Sequence, residues 1–137
     1  MTTQYWLVKS EPATYSWDDL VRDKRTDWTG VRNYAARLHL KAMRPGDEVL
    51  YYHSGEAKSI VGIAKVTKTA FPDATADGED WVAVELAPLA PLKRPVTLAQ
   101  VKAEPALRDI ALVRQGRLSV QPLKPAEFAR IRQMGGR

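Results

Sequence analysis

EVLYYHSGEAKSIVGIAKVTKT, residues 48–69, holds two successive runs rich in β-branched and aromatic side chains, 48–53 and 59–69, parted only by a short loop around Ser54-Gly55-Glu56. Two strands with no helix between them break the regular strand–helix alternation of a doubly wound sheet. Toward the N-terminus, QYWLVK at 4–9 has the same strand character, and Glu11-Pro12 stops it. Ser16 precedes Trp17-Asp18-Asp19, an N-cap with an acid at the third helical position, so a short helix to about residue 23 follows. Trp28-Thr29-Gly30 reads as a turn. Residues 33–43, rich in Ala, Leu, Arg and Lys, read as a helix ended by Pro45-Gly46.

Toward the C-terminus, 71–80 is acidic and turn-rich, hence a peripheral surface loop. Residues 81–86 read as a strand with Trp81 and its valines inward. Thr97 caps a short helix to 102, 105–110 offers another, and 118–121 a brief strand. Pro125 opens a final helix to about 133, with Phe128 and Ile131 spaced for one buried face. Short, unevenly spaced strands interrupted by short helices indicate a barrel-like α+β domain. At 137 residues, with no internal repeat or long linker, 1–137 reads as a single domain.

The chain has no Cys, which removes disulfides and thiolate metal sites and suits a reducing cytosol. The N-terminal segment lacks the pattern of a signal peptide, and no run approaches the roughly 18 apolar residues of a membrane helix. A cytoplasmic protein without membrane contact is expected. Net charge is +5, unevenly spread: from Pro88 onward, 10 Lys and Arg face 3 acids, a net of +7. A second basic cluster, Lys24, Arg25, Arg32, Arg37, Lys41 and Arg44, has Asp27 alone against it. Such a balance suits a polyanion site as well as a solubilising surface.

No Gly-rich phosphate loop is present, so neither dinucleotide nor ATP binding has a sequence handle. With His39 and His53 the only histidines, no metal-ligand spacing emerges, and no cofactor is expected. What the sequence does hold is a cluster of Trp6, Trp28, Tyr34, Tyr51, Tyr52 and His53, interleaved with Lys9, Ser10, Arg32, Asn33, Arg37 and Ser54. Flat rings stack on a base while amides and hydroxyls read its edge. Trp6 and Tyr51, inside strands, are assigned to the core, whereas Trp28 beside Thr29-Gly30 is expected outside it. Asn33 serves equally well as a helix N-cap.

Five strings carry a more specific signal: Tyr5-Trp6-Leu7-Val8-Lys9-Ser10-Glu11-Pro12, Trp28-Thr29-Gly30-Val31-Arg32-Asn33-Tyr34-Ala35-Ala36-Arg37, Gly46-Asp47 with Tyr52-His53-Ser54, Phe71-Pro72-Asp73, and Leu118-Ser119-Val120-Gln121-Pro122. In this order they closely resemble the EVE domain family. The resemblance implies a PUA-like fold, a five-stranded pseudo-β-barrel decorated with short helices. It also implies a pocket for a modified base, a 5-modified cytosine in DNA or a modified RNA base. It carries Lys9, Ser10, Trp28, Asn33, Tyr34, Arg37, His53 and Ser54 toward that pocket.

The resulting expectation is a non-catalytic, monomeric reader of DNA or RNA bearing a modified base. Trp28 would stack, with Tyr34 or Tyr52 assisting. Ser10 and Asn33 would read the base edge, beside His53 and Ser54. Lys9, Arg32, Arg37, Arg114 and Arg117 would contact phosphate. The rival is a hydrolase of a modified nucleoside or RNA using Lys9, Ser10 and Glu11, by analogy with ASCH-type relatives. Strand alternation argues against the convergence of all three.

Overall fold

In a computed structural model, which describes residues 3–77 and 80–137, the chain forms β1 (Tyr5–Ser10), α1 (Trp17–Asp23), β2 (Thr26–Trp28), α2 (Tyr34–Ala42), β3 (Glu48–His53), β4 (Ser59–Pro72) and β5 (Val82–Thr97). Then come α3 (Leu98–Ala103), a 3₁₀ turn (Pro105–Leu107), α4 (Ala111–Arg114), β6 (Val120–Leu123) and α5 (Pro125–Met134). The strands make one six-stranded sheet in the order β2-β5-β4-β3-β1-β6. Only β1 and β3 run parallel. A parallel pair needs a long crossover, and here α1, β2 and α2 supply it.

The caps are where the sequence places them. Ser16 Oγ accepts the Asp19 N–H at 3.0 Å and Asp19 returns the bond to the Ser16 N–H at 2.9 Å. Thr97 and Gln100 form the same reciprocal box at α3. Asn33 Oδ1 accepts from the Ala36 N–H at 2.9 Å and starts α2. Each cap satisfies donors that the first helical turn leaves unpaired.

Side-chain alternation along the strands feeds two cores. One takes Trp6, Val8, Val49 and Tyr51, closed by Trp17 and Leu20 of α1 and Ala36 and Leu40 of α2. The other takes Leu7, Leu50 and Tyr52, closed by Val101, Leu112, Phe128 and Ile131. Gly62 lies under the Trp17 ring, where an added Cβ would sit 2.6 Å from ring carbons, so this point of β4 admits no side chain without displacing the indole.

Several elements depart from their expected bounds. β5 runs sixteen residues rather than ending at Leu86, through Pro88, Pro91 and Pro95. This is tolerated because β2 covers β5 only at Val84, Glu85 and Leu86, and the pairing with β4 shifts register beyond that point; proline is confined to such open or bulged positions. Trp81 stands just before β5, half-buried rather than inward. β4 continues to Pro72, into the expected loop, and the brief strand moves to Val120–Leu123. The sixth strand, β2, contains the Trp28 that read as a turn.

Asp47, 3 % exposed, ties the start of β3 to β1. Its carboxylate accepts from Trp6 Nε1 and from the Gln4 and Arg44 backbone N–H groups, each at 3.0 Å. Asp47→Ala leaves these donors without an acceptor and is expected to cost about 1–3 kcal/mol per stranded buried group. Asp47→Asn does not restore them, because half of its amide is a donor. Urea unfolding should show a lower midpoint at unchanged m for both variants.

A candidate base-binding cavity at the sheet seam

The two edges of the sheet are β2 and β6. Between β2, the end of β1 and the segment entering β6 lies a cavity of about 440 Å³. Lys9 and Ser10 line it from β1, Thr14 and Tyr15 from the loop that follows, Thr26 to Arg32 from β2 and beyond, and Ser119 from the approach to β6. Both long motif strings therefore meet at one hollow.

Tyr15 and Trp28 supply its aromatic lining, and buried rings back Trp28. Tyr51, fully buried, packs edge-to-face with Trp28 and Trp17, with centroids at 5.5 and 5.7 Å. The Tyr51 hydroxyl and Ser10 Oγ both donate to the Tyr15 carbonyl, at 2.8 and 2.6 Å. Burial pushes the Tyr51 phenol well above its ordinary range, so it stays a donor. Trp28 is only 9 % exposed and belongs to the core as well as to the cavity, contrary to its expected place outside the core.

The wall turns sharply after Trp28. The Thr29 N–H closes on the Asp27 carbonyl at 3.0 Å, and Gly30 takes φ +82°, which favours glycine. The Gly30 N–H then donates to Asp73 at 2.9 Å. Asp73 also accepts from Arg32 at 3.0 Å, from the Thr75 N–H at 2.8 Å and from Thr75 Oγ1 at 2.6 Å. Burial by itself would raise this carboxyl's pKa. The bonds from Thr75, Gly30 and Arg32 outweigh it and hold Asp73 well below the usual carboxylate range. The acidic loop, expected to be peripheral, thus begins with a buried anchor.

The expected site residues divide. Lys9, Ser10, Trp28 and Arg32 line the cavity; Asn33, Tyr34, Tyr52, His53 and Ser54 lie outside it. Asn33 is spent as a cap. Tyr34 is 58 % exposed and stacks on Trp81 with centroids 5.2 Å apart. Tyr52, next to Tyr51 on a strand, points into the opposite core. His53 Nε2 accepts the Trp17 N–H at 3.0 Å, capping α1 with its ring. Ser54 borders a separate hollow beside Glu11 and Gly55.

The cations divide too. Lys9 Nζ donates to the Gly116 carbonyl at 2.7 Å, and burial lowers its pKa. Arg37 donates to the Asp80 carbonyl at 3.0 Å, and Arg114 pairs with Asp109 at 3.0 Å. Arg117 is exposed in the loop between Gly116 and Ser119. Thr14, Tyr15, Thr26 and Asp27 carried no sequence signal of their own. Asp73 did, inside Phe-Pro-Asp. Lys9 and Ser10, the last two residues of β1, and Glu11 just past its end all border the cavity.

The sequence matches the EVE domain family over residues 4–134, and the chain belongs to that family. The fold, a mixed six-stranded sheet with short helices, is of the PUA-like type that its structural neighbours share. Among individual proteins, the chain is 34 % identical to human thymocyte nuclear protein 1 over 160 residues, covering 92 % of this chain and 71 % of that one. An NMR structure from Rhodopseudomonas palustris is 51 % identical with a TM-score of 0.92, covering 98 % of this chain and 94 % of the other. Human THYN1 in complex with DNA containing 5-methylcytosine superposes with a TM-score of 0.91 at 32 % identity, covering 98 % and 99 %. An ASCH protein from Zymomonas mobilis, at 15 % identity and a TM-score of 0.57, shares the fold alone.

Two measurements probe this geometry. Asp73→Asn replaces an acceptor by a donor facing Gly30, Arg32 or Thr75. It is expected to cost about 1–3 kcal/mol and to speed hydrogen exchange at the Gly30 amide. For His53, burial lowers the imidazole pKa below its ordinary value of about 6.5. Its contribution to stability is then complete above that pH and lost as pH falls through the lowered value. His39 is depressed for the same reason. Melting temperature should be flat above about pH 7 and fall on acidification, with His53→Gln removing part of the slope.

Proposed function

We propose that this domain binds nucleic acid without catalysis by enclosing one base, a 5-methylcytosine, in the cavity at the sheet seam. The observation that carries the reading is the meeting of both motif strings at a hollow of about 440 Å³ walled by Trp28 and rimmed by Lys9 and Arg32. That volume suits a small planar ligand. The similarity to human THYN1, whose structure holds DNA containing 5-methylcytosine, supports the choice of base.

Trp28 supplies the flat wall, while Ser10, Thr26 and the backbone around Gly30 supply polar atoms for the base edge. Lys9 and Arg32 stand where the sugar–phosphate would leave the cavity, together with the exposed Arg117. The Ser10 hydroxyl is directed to the Tyr15 carbonyl rather than to a base that would activate it, which favours a reader over a hydrolase. The hydrolytic reading keeps one observation, that Lys9, Ser10 and Glu11 border the same cavity. Incubation with modified nucleosides and RNA followed by mass spectrometry decides it, and any product overturns the non-catalytic reading.

Magnitudes set the expected selectivity. Burying one methyl is worth about 0.8 kcal/mol, so 5-methylcytosine should exceed cytosine by only about fourfold. Thymine keeps the methyl but exchanges an exocyclic donor for an acceptor, which strands a buried partner at about 1–3 kcal/mol and costs roughly 5- to 150-fold. Titration of single-stranded oligomers differing at this one base should give that ranking; equal affinity for all three removes the proposal. Trp28→Phe should fold and bind more weakly. Trp28→Ala should lose about 3–5 kcal/mol of stability, as a core Trp does.

A further inference from the structure

Outside the cavity, the start of α2 and the residue before β5 build a second aromatic surface. The Tyr34 and Trp81 rings stack 5.2 Å apart at 27°. The Arg37 guanidinium lies 5.0 Å from both centroids, and its Nε is buried with no hydrogen-bond partner. One helical turn from Tyr34, Leu38 is 64 % exposed; both are among four large hydrophobics left open to solvent among the described residues. Lys41, one turn further, is 41 % exposed and pairs with Asp80.

This surface adjoins the cavity through one side chain. Arg32 lines the cavity, and its guanidinium carbon is 5.8 Å from the Trp81 centroid. From the hollow outward the order is therefore cavity, Arg32, then Trp81 with Tyr34 and Arg37. An exposed ring backed by a second ring and a guanidinium is the chemistry of a stacking platform for unpaired bases. The nearby carboxylate of Asp80 opposes phosphate, so the ring faces and not the charges define what binds.

Resting on the reading of the cavity as a base pocket, we propose that the Tyr34–Trp81–Arg37 surface is a second subsite. It stacks the base of a nucleotide adjoining the enclosed 5-methylcytosine on the same strand. Tyr34 and Arg37 then act outside the pocket, with the Tyr34 ring as the open face and Arg37 locking its orientation. A single strand, or a strand locally opened from its duplex, is the form that engages both subsites.

The test uses single-stranded heptamers with 5-methylcytosine at the centre, either with ordinary bases beside it or with the two flanking nucleotides abasic. Both carry the same phosphates, so electrostatics cancel. Wild type should bind the abasic-flanked heptamer about tenfold or more weakly. Tyr34→Ala should bind the ordinary heptamer with the same loss, and abasic flanks should cost it nothing further. Tyr34→Phe keeps the ring and should recover most of the lost affinity, and circular dichroism should show every variant folded at the assay temperature, so that the losses are read on folded protein. Losses that add independently, or a Tyr34→Ala variant that binds like wild type, overturn the platform and leave the pocket intact. Wild type that binds a heptamer abasic at the centre as tightly as the methylated one overturns the pocket reading itself.

Discussion

Asp73 accepts four hydrogen bonds while its side chain is fully withdrawn from solvent, and the cavity exists because of where those bonds lead. Residues following Trp28 could have extended β2 along β5. Instead the Gly30 N–H and the Arg32 guanidinium are drawn to a carboxylate at the end of β4, and the chain leaves the sheet after three residues. An ionised carboxylate in such a place survives only when its acceptors are filled. The donors come from a backbone turn, a side-chain hydroxyl and a cation, so the loop conformation and the carboxylate require each other. The consequence is a sheet whose edges do not pair and a seam walled by side chains.

Across that seam, the atoms that stabilise the fold are also those to which the proposed function assigns recognition. The Tyr15 carbonyl accepts from both Ser10 and Tyr51, and Tyr51 makes edge-to-face contacts with Trp28, Trp17 and His53. His53 in turn accepts the Trp17 N–H that opens α1. A wall assembled this way is rigid before any ligand arrives, which lowers the ordering cost of binding. It also denies Trp28 the freedom of an ordinary surface contact, because its ring is a filler of the first core.

Much of the framework was legible in the residues. Glu48–His53 and the following run formed strands, the Ser16, Asn33 and Thr97 caps opened helices, and Phe128 with Ile131 faced a core. The alternation that marks a strand over 81–86 does not reach the rest of β5, since nothing local reveals that the neighbouring strand will end and free an edge that tolerates Pro88, Pro91 and Pro95. The site was less legible. Trp28-Thr29-Gly30 reads as a turn on composition, yet Trp28 pairs with Val84, 56 positions further along the chain. Tyr51 and Tyr52 are equivalent in composition, and only the sheet decides which one turns toward the cavity side. Asn33 and Tyr34 follow Arg32 directly, but α2 begins between them and swings the ring outward. Tyr15 reaches the site by a loop whose path has no motif.

The electrostatics separate what attracts from what recognises. Arg32 is bound to Asp73, Arg37 to the Asp80 carbonyl and Arg114 to Asp109, while Lys9 donates to a backbone carbonyl. The cations nearest the seam thus enter already partnered, and a phosphate gains from each only the surplus over the bond it displaces. The excess positive charge of the second half would act on a polyanion at longer range, through encounter rates that salt screens. On the proposed reading, affinity that distinguishes one base from another would arise at the buried Trp28 ring and at the polar atoms of the loop after it, which Asp73 holds in place. The Asp73 carboxylate fixes the Gly30 N–H and the Arg32 guanidinium, so the loop could not rearrange freely to suit a wrong base, and a ligand group left unmet there would cost affinity.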